Sequence, residues 1–192
     1  ENDNNEREYD FFIYSVIGEG TNIKGYNIAT KLIPFLCEKG LKGICLLKGK
    51  KIYNFEKYTK QGLLKIHYGL LKGKAFPKYA SNAKFWIHPN KWDAFPKTII
   101  ESLLLDMGSI INKELDVGLN YVKDISSAFI VDYNDFNNIY KIIKNTNFEK
   151  LTPRKDWLEK YSFHKVGAIW ATEINKYFNT DYKELYYLTD LI

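Results

Sequence analysis

Two carboxylates lie close to the start of one predicted helix. Asp93 precedes this helix, and Glu101, eight positions later, lies about one turn inside it. Free backbone amides at a helix start attract anions, so amides and carboxylates here can face a ligand that carries both phosphate and hydroxyl groups. A carboxylate that accepts two vicinal hydroxyls is a common way to hold a ribose or a sugar. The alternative is structural: Asp93 caps the helix and Glu101 is a solvated helix residue.

A glycine-rich turn is the second candidate for chemistry. Residues 18–25 read GEGTNIKG, with Gly18, Gly20 and Gly25 around Lys24. The turn has neither the G-x-G-x-x-G spacing of a dinucleotide fingerprint nor the G-K-[ST] ending of a P-loop. It predicts either a loop in which Lys24 and helix amides face a phosphate, or only a tight turn into a helix.

Alternating strands and helices must position these residues. Aromatic and β-branched runs predict six strands, at 9–17, 42–47, 63–69, 84–88, 108–112 and 126–131. Apolar residues at helical spacing predict helices between and after them, including 54–62, 75–82, 97–107, 136–145 and 166–178. Asp135 is a candidate N-cap, and Pro153 opens a further helix. The pattern predicts an α/β fold: a doubly wound, mainly parallel six-stranded sheet with helices on both faces.

The carboxyl ends of such strands form the expected binding edge, because ligands of doubly wound sheets bind outside them. These ends fall at Gly18–Lys24, Lys48–Lys51, Gly69–Lys74, Pro89–Phe95 and Asn112–Gly118. Many lysines of the chain lie there. Residues 13–100 hold 16 basic and 4 acidic side chains, whereas the whole chain has a net charge of +5. The concentrated positive charge suits an anionic ligand such as a phosphate.

Composition excludes several other classes of protein. The 26 Lys against 2 Arg follow a bias toward Lys, Asn, Ile and Tyr that is typical of AT-rich coding, whereas nucleic-acid binding usually relies on Arg. This weakens the case for a Lys-rich nucleic-acid-binding domain, which is kept only as a second alternative. Its support is the basic half of the chain and the aromatic residues interleaved there. Two cysteines and three scattered histidines show no metal-ligand spacing, so no metal is expected.

The chain is expected to form one domain. Residues 1–8 are interpreted as a flexible lead-in and 9–192 as the α/β domain, with 153–192 as a helical extension. No apolar run reaches the roughly 18 residues of a membrane helix, and the polar, acidic start does not resemble a secretory signal. A cytoplasmic location without a transmembrane segment is the expectation.

Read together, these stretches resemble the C-terminal, donor-binding lobe of a GT-B fold glycosyltransferase of the "glycosyl transferases group 1" set, the retaining enzymes of family four. The resemblance covers about residues 9–148 in the right order. It is carried by YDFFIYSVIGEGTNIKGYNIATKLIPFL, by LLKIHYGLLKGKAFPKYASNAKFWIHPNKWDAFPKTIIESLLLDMGSIIN and by DVGLNYVKDISSAFIVDYNDFNNIYKII. Each motif is modestly specific, whereas their agreement in series is strong.

The resemblance implies roles for individual residues. The E-x7-E motif of the family places its ribose-binding Glu on Glu101 and its first Glu, near the donor sugar, on Asp93. Its diphosphate-binding Lys falls on Lys24, and these three are the expected catalytic residues. The expected donor-binding residues are Gly18, Glu19, Lys48, Gly69, Leu70, Leu71, His88, Ala94, Phe95, Pro96 and Lys97. Backbone groups of Gly69–Leu71 would hold the base.

Two positions depart from the family pattern. Asp93 is one methylene shorter than the family's Glu, and Glu19 stands where the family has an Arg. An anion facing a diphosphate weakens donor binding or leaving-group stabilisation unless another lysine, such as Lys48 or Lys72, substitutes.

The resemblance implies transfer of a sugar from a nucleotide diphospho-sugar to a hydroxyl acceptor in glycan or polysaccharide biosynthesis, with retention of configuration. It implies no metal or other cofactor, and it leaves the lobe inactive without an N-terminal acceptor-binding lobe. Membrane contact, if any, would be peripheral and made through the full-length enzyme. The first alternative, favoured by Glu19 and Asp93, is a catalytically degenerate sugar-nucleotide-fold module kept for binding.

Overall fold

Strands and helices alternate along the computed structural model, which describes residues 7–16, 25–48, 55–91, 97–115 and 117–178. The strands are β1 (Tyr9–Val16), β2 (Gly43–Lys48), β3 (Leu64–Tyr68), β4 (Ala83–His88), β5 (Gly108–Asn112) and β6 (Ala128–Val131). The helices are α1 (Tyr26–Glu38), α2 (Glu56–Lys60), α3 (Ala75–Ala80), α4 (Lys97–Leu104), α5 (Phe136–Asn145), α6 (Pro153–Tyr161) and α7 (Phe163–Phe178). Two short 3-10 helices, Val117–Tyr121 and Phe148–Lys150, complete the described elements.

The six strands form one sheet in the order β3-β2-β1-β4-β5-β6, and each neighbouring pair is parallel. Phe11 of β1 pairs with Gly43 of β2 on one side and with Phe85 of β4 on the other. The strands β2 and β3 therefore extend the sheet in one direction from β1, and β4, β5 and β6 extend it in the other. The predicted doubly wound α/β sheet is confirmed.

Continuous apolar character marks the central strands, because a parallel sheet is covered on both faces. In β1, Phe11 and Ile13 face one layer of helices, whereas Phe12 faces the other and packs edge-to-face against Trp86 of β4. All four side chains are at most 1% exposed. The run of aromatic and β-branched residues that predicts this strand is thus the set that fills the core.

Helices cover both faces of the sheet. One face packs against α1, α2 and α5 through side chains such as Leu32, Tyr58 and Ile139. The other face is covered by α3 and α4, and Ile99 of α4 packs in a cluster that includes Trp157 of α6. We name these the α1 face and the α4 face.

Local capping explains where several elements begin. Asp135 accepts a hydrogen bond from the backbone N–H of Asn138 at 3.0 Å, so it caps α5 as predicted. Pro153 is the first residue of α6, where its missing N–H costs nothing. The strand β6 begins two residues later than predicted, because the hydroxyls of Ser126 and Ser127 instead donate to Asp156.

Arg7 fastens the chain just ahead of β1. Its guanidinium donates to the carbonyls of Ala83 at 2.8 Å and Leu105 at 2.9 Å, and it lies over the ring of Phe148. Within the described ranges, no helix is both long enough and apolar enough to cross a membrane.

Candidate functional site

The carboxyl edge of the sheet has its switch point between β1 and β4, where the chain leaves neighbouring strands in opposite directions along the sheet. Doubly wound folds bind ligands at such a crevice. The loops that follow these two strands carry half of the predicted site. Gly18, Glu19, Lys24, Asp93, Ala94, Phe95 and Pro96 lie outside the described residues. The remaining predicted residues define the geometry.

Glu101 lies on α4, which begins at the carboxyl edge and packs on the α4 face. Its side chain is exposed, and it lies one turn after Lys97 on the same side of the helix. Partial burial raises the pKa of Glu101, and the positive charge of Lys97 opposes that shift. The helix therefore presents a carboxylate and an ammonium side by side. The carboxylate can accept hydrogen bonds from hydroxyl groups, and the ammonium can face a phosphate.

A buried polar chain holds α4 against the sheet. His88, the last residue of β4, is 3% exposed, and its Nε2 lies 3.3 Å from the hydroxyl of Ser102. The Ser102 hydroxyl donates to the carbonyl of Ile99 at 2.7 Å and contacts the hydroxyl of Ser109 on β5. Because the Ser102 proton is used in this way, His88 Nε2 is the donor to Ser102.

The His88 ring is neutral in the folded protein. Burial lowers the pKa of His88 to about 3, and the ring stacks on Trp86 with centroids 5.1 Å apart. His88 thus acts on the site through Ser102, which is adjacent to Glu101, and direct contact of His88 with a donor stays a prediction. Ser102 is a residue that the sequence analysis missed, although a lone serine on the apolar side of a helix is a usable signal of a buried polar contact.

The ends of β2 and β3 supply the other described residues. Gly69 has φ of 109°, a conformation that favours glycine, and its N–H donates to the carbonyl of Leu47 at 2.9 Å. Leu70 is 58% exposed, whereas Leu71 packs into the α4-face side of the core. Lys48 is exposed at the end of β2. The exposed apolar side chain of Leu70 at this end is suited to the flat face of a base.

These two regions share one edge and one face of the sheet. Three strand spacings separate β3 from β4, which amounts to about 14 Å. A ligand that reaches both Leu70 and Glu101 must therefore be extended, as a nucleotide diphospho-sugar is.

The start of α1 presses against the loop that follows β4. Gly25, the N-cap of α1, has φ of 70°, and a Cβ atom built there would lie 2.2 Å from the carbonyl oxygen of Pro89. Only glycine fits this place. The contact places the start of α1 directly against Pro89, the residue that follows β4.

A cavity that the sequence did not predict opens at the same edge on the α1 face. Its volume is about 250 Å³, and Asn112 of β5 lines it together with the start of α1. No group of three or more His, Cys, Asp or Glu side chains within the described residues could hold a metal ion.

Comparison with known proteins gives matches in structure alone. No protein-family model matches the sequence. No curated protein matches it either.

Solved structures share the fold over most of this chain. TarM aligns with a TM-score of 0.62 at 11% identity, over 91% of this chain and 34% of its own. The catalytic domain of starch synthase IV from Arabidopsis thaliana, described as bound to ADP and acarbose, aligns with a TM-score of 0.56 at 17% identity, over 88% and 37%. WaaG, described as a glycosyltransferase involved in lipopolysaccharide biosynthesis, aligns with a TM-score of 0.57 at 11% identity, over 89% and 48%.

The fold is therefore that of one lobe of a GT-B glycosyltransferase, as the resemblance in sequence implies. The chain spans only about a third to a half of the length of these solved proteins.

Proposed function

We propose that this chain is the donor-binding lobe of a glycosyltransferase and holds a nucleotide diphospho-sugar along the α4 face of its carboxyl edge. The single observation that supports this most is the position of Glu101. Glu101 lies on a helix that starts at the switch-point edge, and its side chain faces outward beside Lys97. The buried contact of Ser102 with His88 holds that helix in place.

In the proposed complex, the carboxylate of Glu101 accepts hydrogen bonds from the two ribose hydroxyls. The base lies against Gly69–Leu71 at the ends of β2 and β3. The diphosphate lies near the start of α4, where Lys97 and the helix dipole balance its charge. Lys24 and the backbone N–H groups of Ala94 and Phe95 are proposed to complete this site.

The proposed reaction transfers the sugar to an acceptor hydroxyl with retention of configuration. The carbon–oxygen bond between sugar and diphosphate breaks, and the nucleoside diphosphate leaves with the electron pair. Positive groups that face the diphosphate stabilise the charge that develops on this leaving group. Asp93 is proposed to contact the donor sugar. The acceptor and the group that receives its proton belong to a second, N-terminal lobe, so the 192-residue chain is expected to bind donor without turnover.

Isothermal titration of the chain with UDP, GDP and ADP tests the donor site. At least one nucleotide should bind saturably, and Glu101→Ala should weaken its binding by about 1.5 to 3 kcal/mol, or about 10- to 150-fold, because a charged acceptor of ribose hydroxyls is lost. Glu149→Ala is the matched control, since Glu149 is exposed near Arg7, which precedes β1 at the amino edge. Binding that ignores Glu101→Ala, or no saturable binding by any of the three nucleotides, would exclude this donor site.

A degenerate binding module is the second candidate, because Glu19 and Asp93 depart from the family pattern. Titration with uridine beside UDP separates it from an active donor lobe. If the diphosphate is held by cations, UDP binds more tightly than uridine. If Glu19 repels the diphosphate, the two bind equally. A nucleic-acid-binding domain predicts affinity for RNA or DNA that falls steeply with salt, and no competition by nucleotide.

A further inference from the structure

The cavity on the α1 face lies on the other side of the sheet from Glu101. In β5, Ile110 packs in the core beneath α1 and α5, and Asn112, two residues further along the strand, points to the same face. None of its described lining residues is among those proposed to bind the nucleotide, although the cavity opens at the same edge as Glu101. We name it the α1-face cavity.

Asn112 forms the floor of this cavity with an unpaired donor. The side chain is 1% exposed, and its Oδ1 accepts a hydrogen bond from the N–H of Glu114 at 3.0 Å. Its Nδ2 is buried and has no hydrogen-bond partner among the described residues. Buried donors are almost always paired, so a free amide at the floor of a cavity points to an acceptor atom that enters from the cavity.

The rim supplies donors and acceptors with no net charge. Lys91 Nζ lies 2.6 Å from a carboxylate oxygen of Glu114, and both side chains are about half exposed. The exposed amides of Asn27 and Asn134 complete the polar rim. Glu114 would repel an anion, and Lys91 would repel a cation. A hydroxyl, in contrast, can donate to Glu114 and accept from Lys91.

The floor also offers an apolar surface. The hydroxyl of Tyr133 donates to the carbonyl of Ile110 at 2.8 Å, so its proton is committed and the buried ring faces the cavity as a nonpolar wall. The volume of about 250 Å³ is below the roughly 300–1,000 Å³ of pockets for drug-sized ligands. A single ring with several hydroxyls matches both the size and the mixed polarity.

We propose that the α1-face cavity is a subsite for one neutral sugar ring, with Asn112 Nδ2 donating to a ring hydroxyl and the Lys91–Glu114 pair binding hydroxyls at the rim. A role of this ring in glycosyl transfer rests on the proposed function. The binding itself does not, because it depends only on the cavity.

Nuclear magnetic resonance of the ¹⁵N-labelled chain tests the proposal. Methyl α-glucoside, methyl β-galactoside, N-acetylglucosamine and inorganic phosphate are titrated separately. At least one of the three sugars should shift the Asn112 side-chain amide signals saturably with a millimolar dissociation constant, and phosphate should not. Asn112→Asp keeps an oxygen that pairs with the N–H of Glu114 and replaces the donor with a second acceptor oxygen, so affinity should fall about five-fold or more. Asn145→Asp, at the far end of α5, is the matched control and should bind as the native chain does.

Three results would overturn the subsite: no shift with any sugar, a shift with phosphate alone, or equal affinities for the Asn112 and Asn145 variants. If Asn112→Asp does not fold, Glu114→Gln takes its place, since it keeps the backbone N–H and removes the charged acceptor at the rim. Sugar affinity unchanged by Glu114→Gln would then overturn the proposal. Glu101→Ala should leave sugar binding intact, and Asn112→Asp should leave nucleotide binding intact, so the two proposals fail separately.

Discussion

Protonation of His88 is expected to link the stability of this fold to pH. Burial lowers the pKa of His88 from 6.5 to about 3. The His88 imidazole therefore takes up a proton near pH 6.5 in the unfolded chain, but only near pH 3 in the folded chain. The stability contributed by the neutral ring is complete above pH 6.5 and is lost as the pH falls toward 3, with a limiting slope of about 1.4 kcal/mol per pH unit.

Urea unfolding of the native chain and of His88→Gln, measured between about pH 6 and pH 4, isolates this effect. Glutamine stays uncharged and keeps an amide donor for Ser102. The variant therefore has no titrating group at position 88 but keeps the hydrogen bond to Ser102. Relative to the variant, the native chain should lose about 2.5 kcal/mol of unfolding free energy over this range.

Ser102→Ala is the control for the hydrogen bond. It removes the partner of His88 but leaves the ring buried, so it should lower stability at every pH and keep the native slope, because burial is the cause of the shift. Parallel curves for the native chain and His88→Gln would refute the reasoning, since they would mean that the ring takes up a proton without unfolding.

Two further predictions concern backbone geometry. Gly25→Ala should cost about 1 to 3 kcal/mol more in urea unfolding than Gly40→Ala, because both have positive φ but only Gly25 has the Pro89 carbonyl 2.2 Å from a Cβ position. Equal losses would argue against the close contact. Asp135→Ala should lower the unfolding free energy by about 1 kcal/mol through loss of its bond to the Asn138 N–H, and Asp135→Asn should restore most of it; no difference in thermal midpoint between the two would contradict this cap.

The positions of the central strands could be predicted because their largely apolar runs fit strands of a parallel sheet that is covered on both faces. The start of α5 could be predicted for a local reason as well, since Asp135 and the N–H that it accepts from are three residues apart. The sheet order could not be predicted, because it depends on which strand edges meet after the helices have crossed the sheet. Tyr9 pairs with Ala83, and no short-range pattern contains that choice.

Polar contacts of serine side chains, one distant in sequence and one local, accompany two further differences from the predicted elements. Ser126 and Ser127 resemble the start of a strand in sequence, but both donate to Asp156 in α6. The helix α7 begins at Phe163, three residues before the predicted start, where the Ser162 hydroxyl accepts from the N–H of Lys165. Within the candidate site, the position of Glu101 on α4 could be predicted from the helical pattern, and its role in binding stays a prediction. The cavity around Asn112 could not, since its walls come from loops that are far apart in the chain.

The strand order also constrains how the chain is made. β1 is central, yet β2 and β3, which extend the sheet on one side of it, are synthesised well before β4 closes the other side. Until then, a nascent three-stranded half-sheet presents the free edge of β1, with Phe11, Phe12 and Ile13 in sequence, and such apolar edges pair readily with other chains. During synthesis, the central strand of the mature domain is therefore the edge at which aggregation would begin.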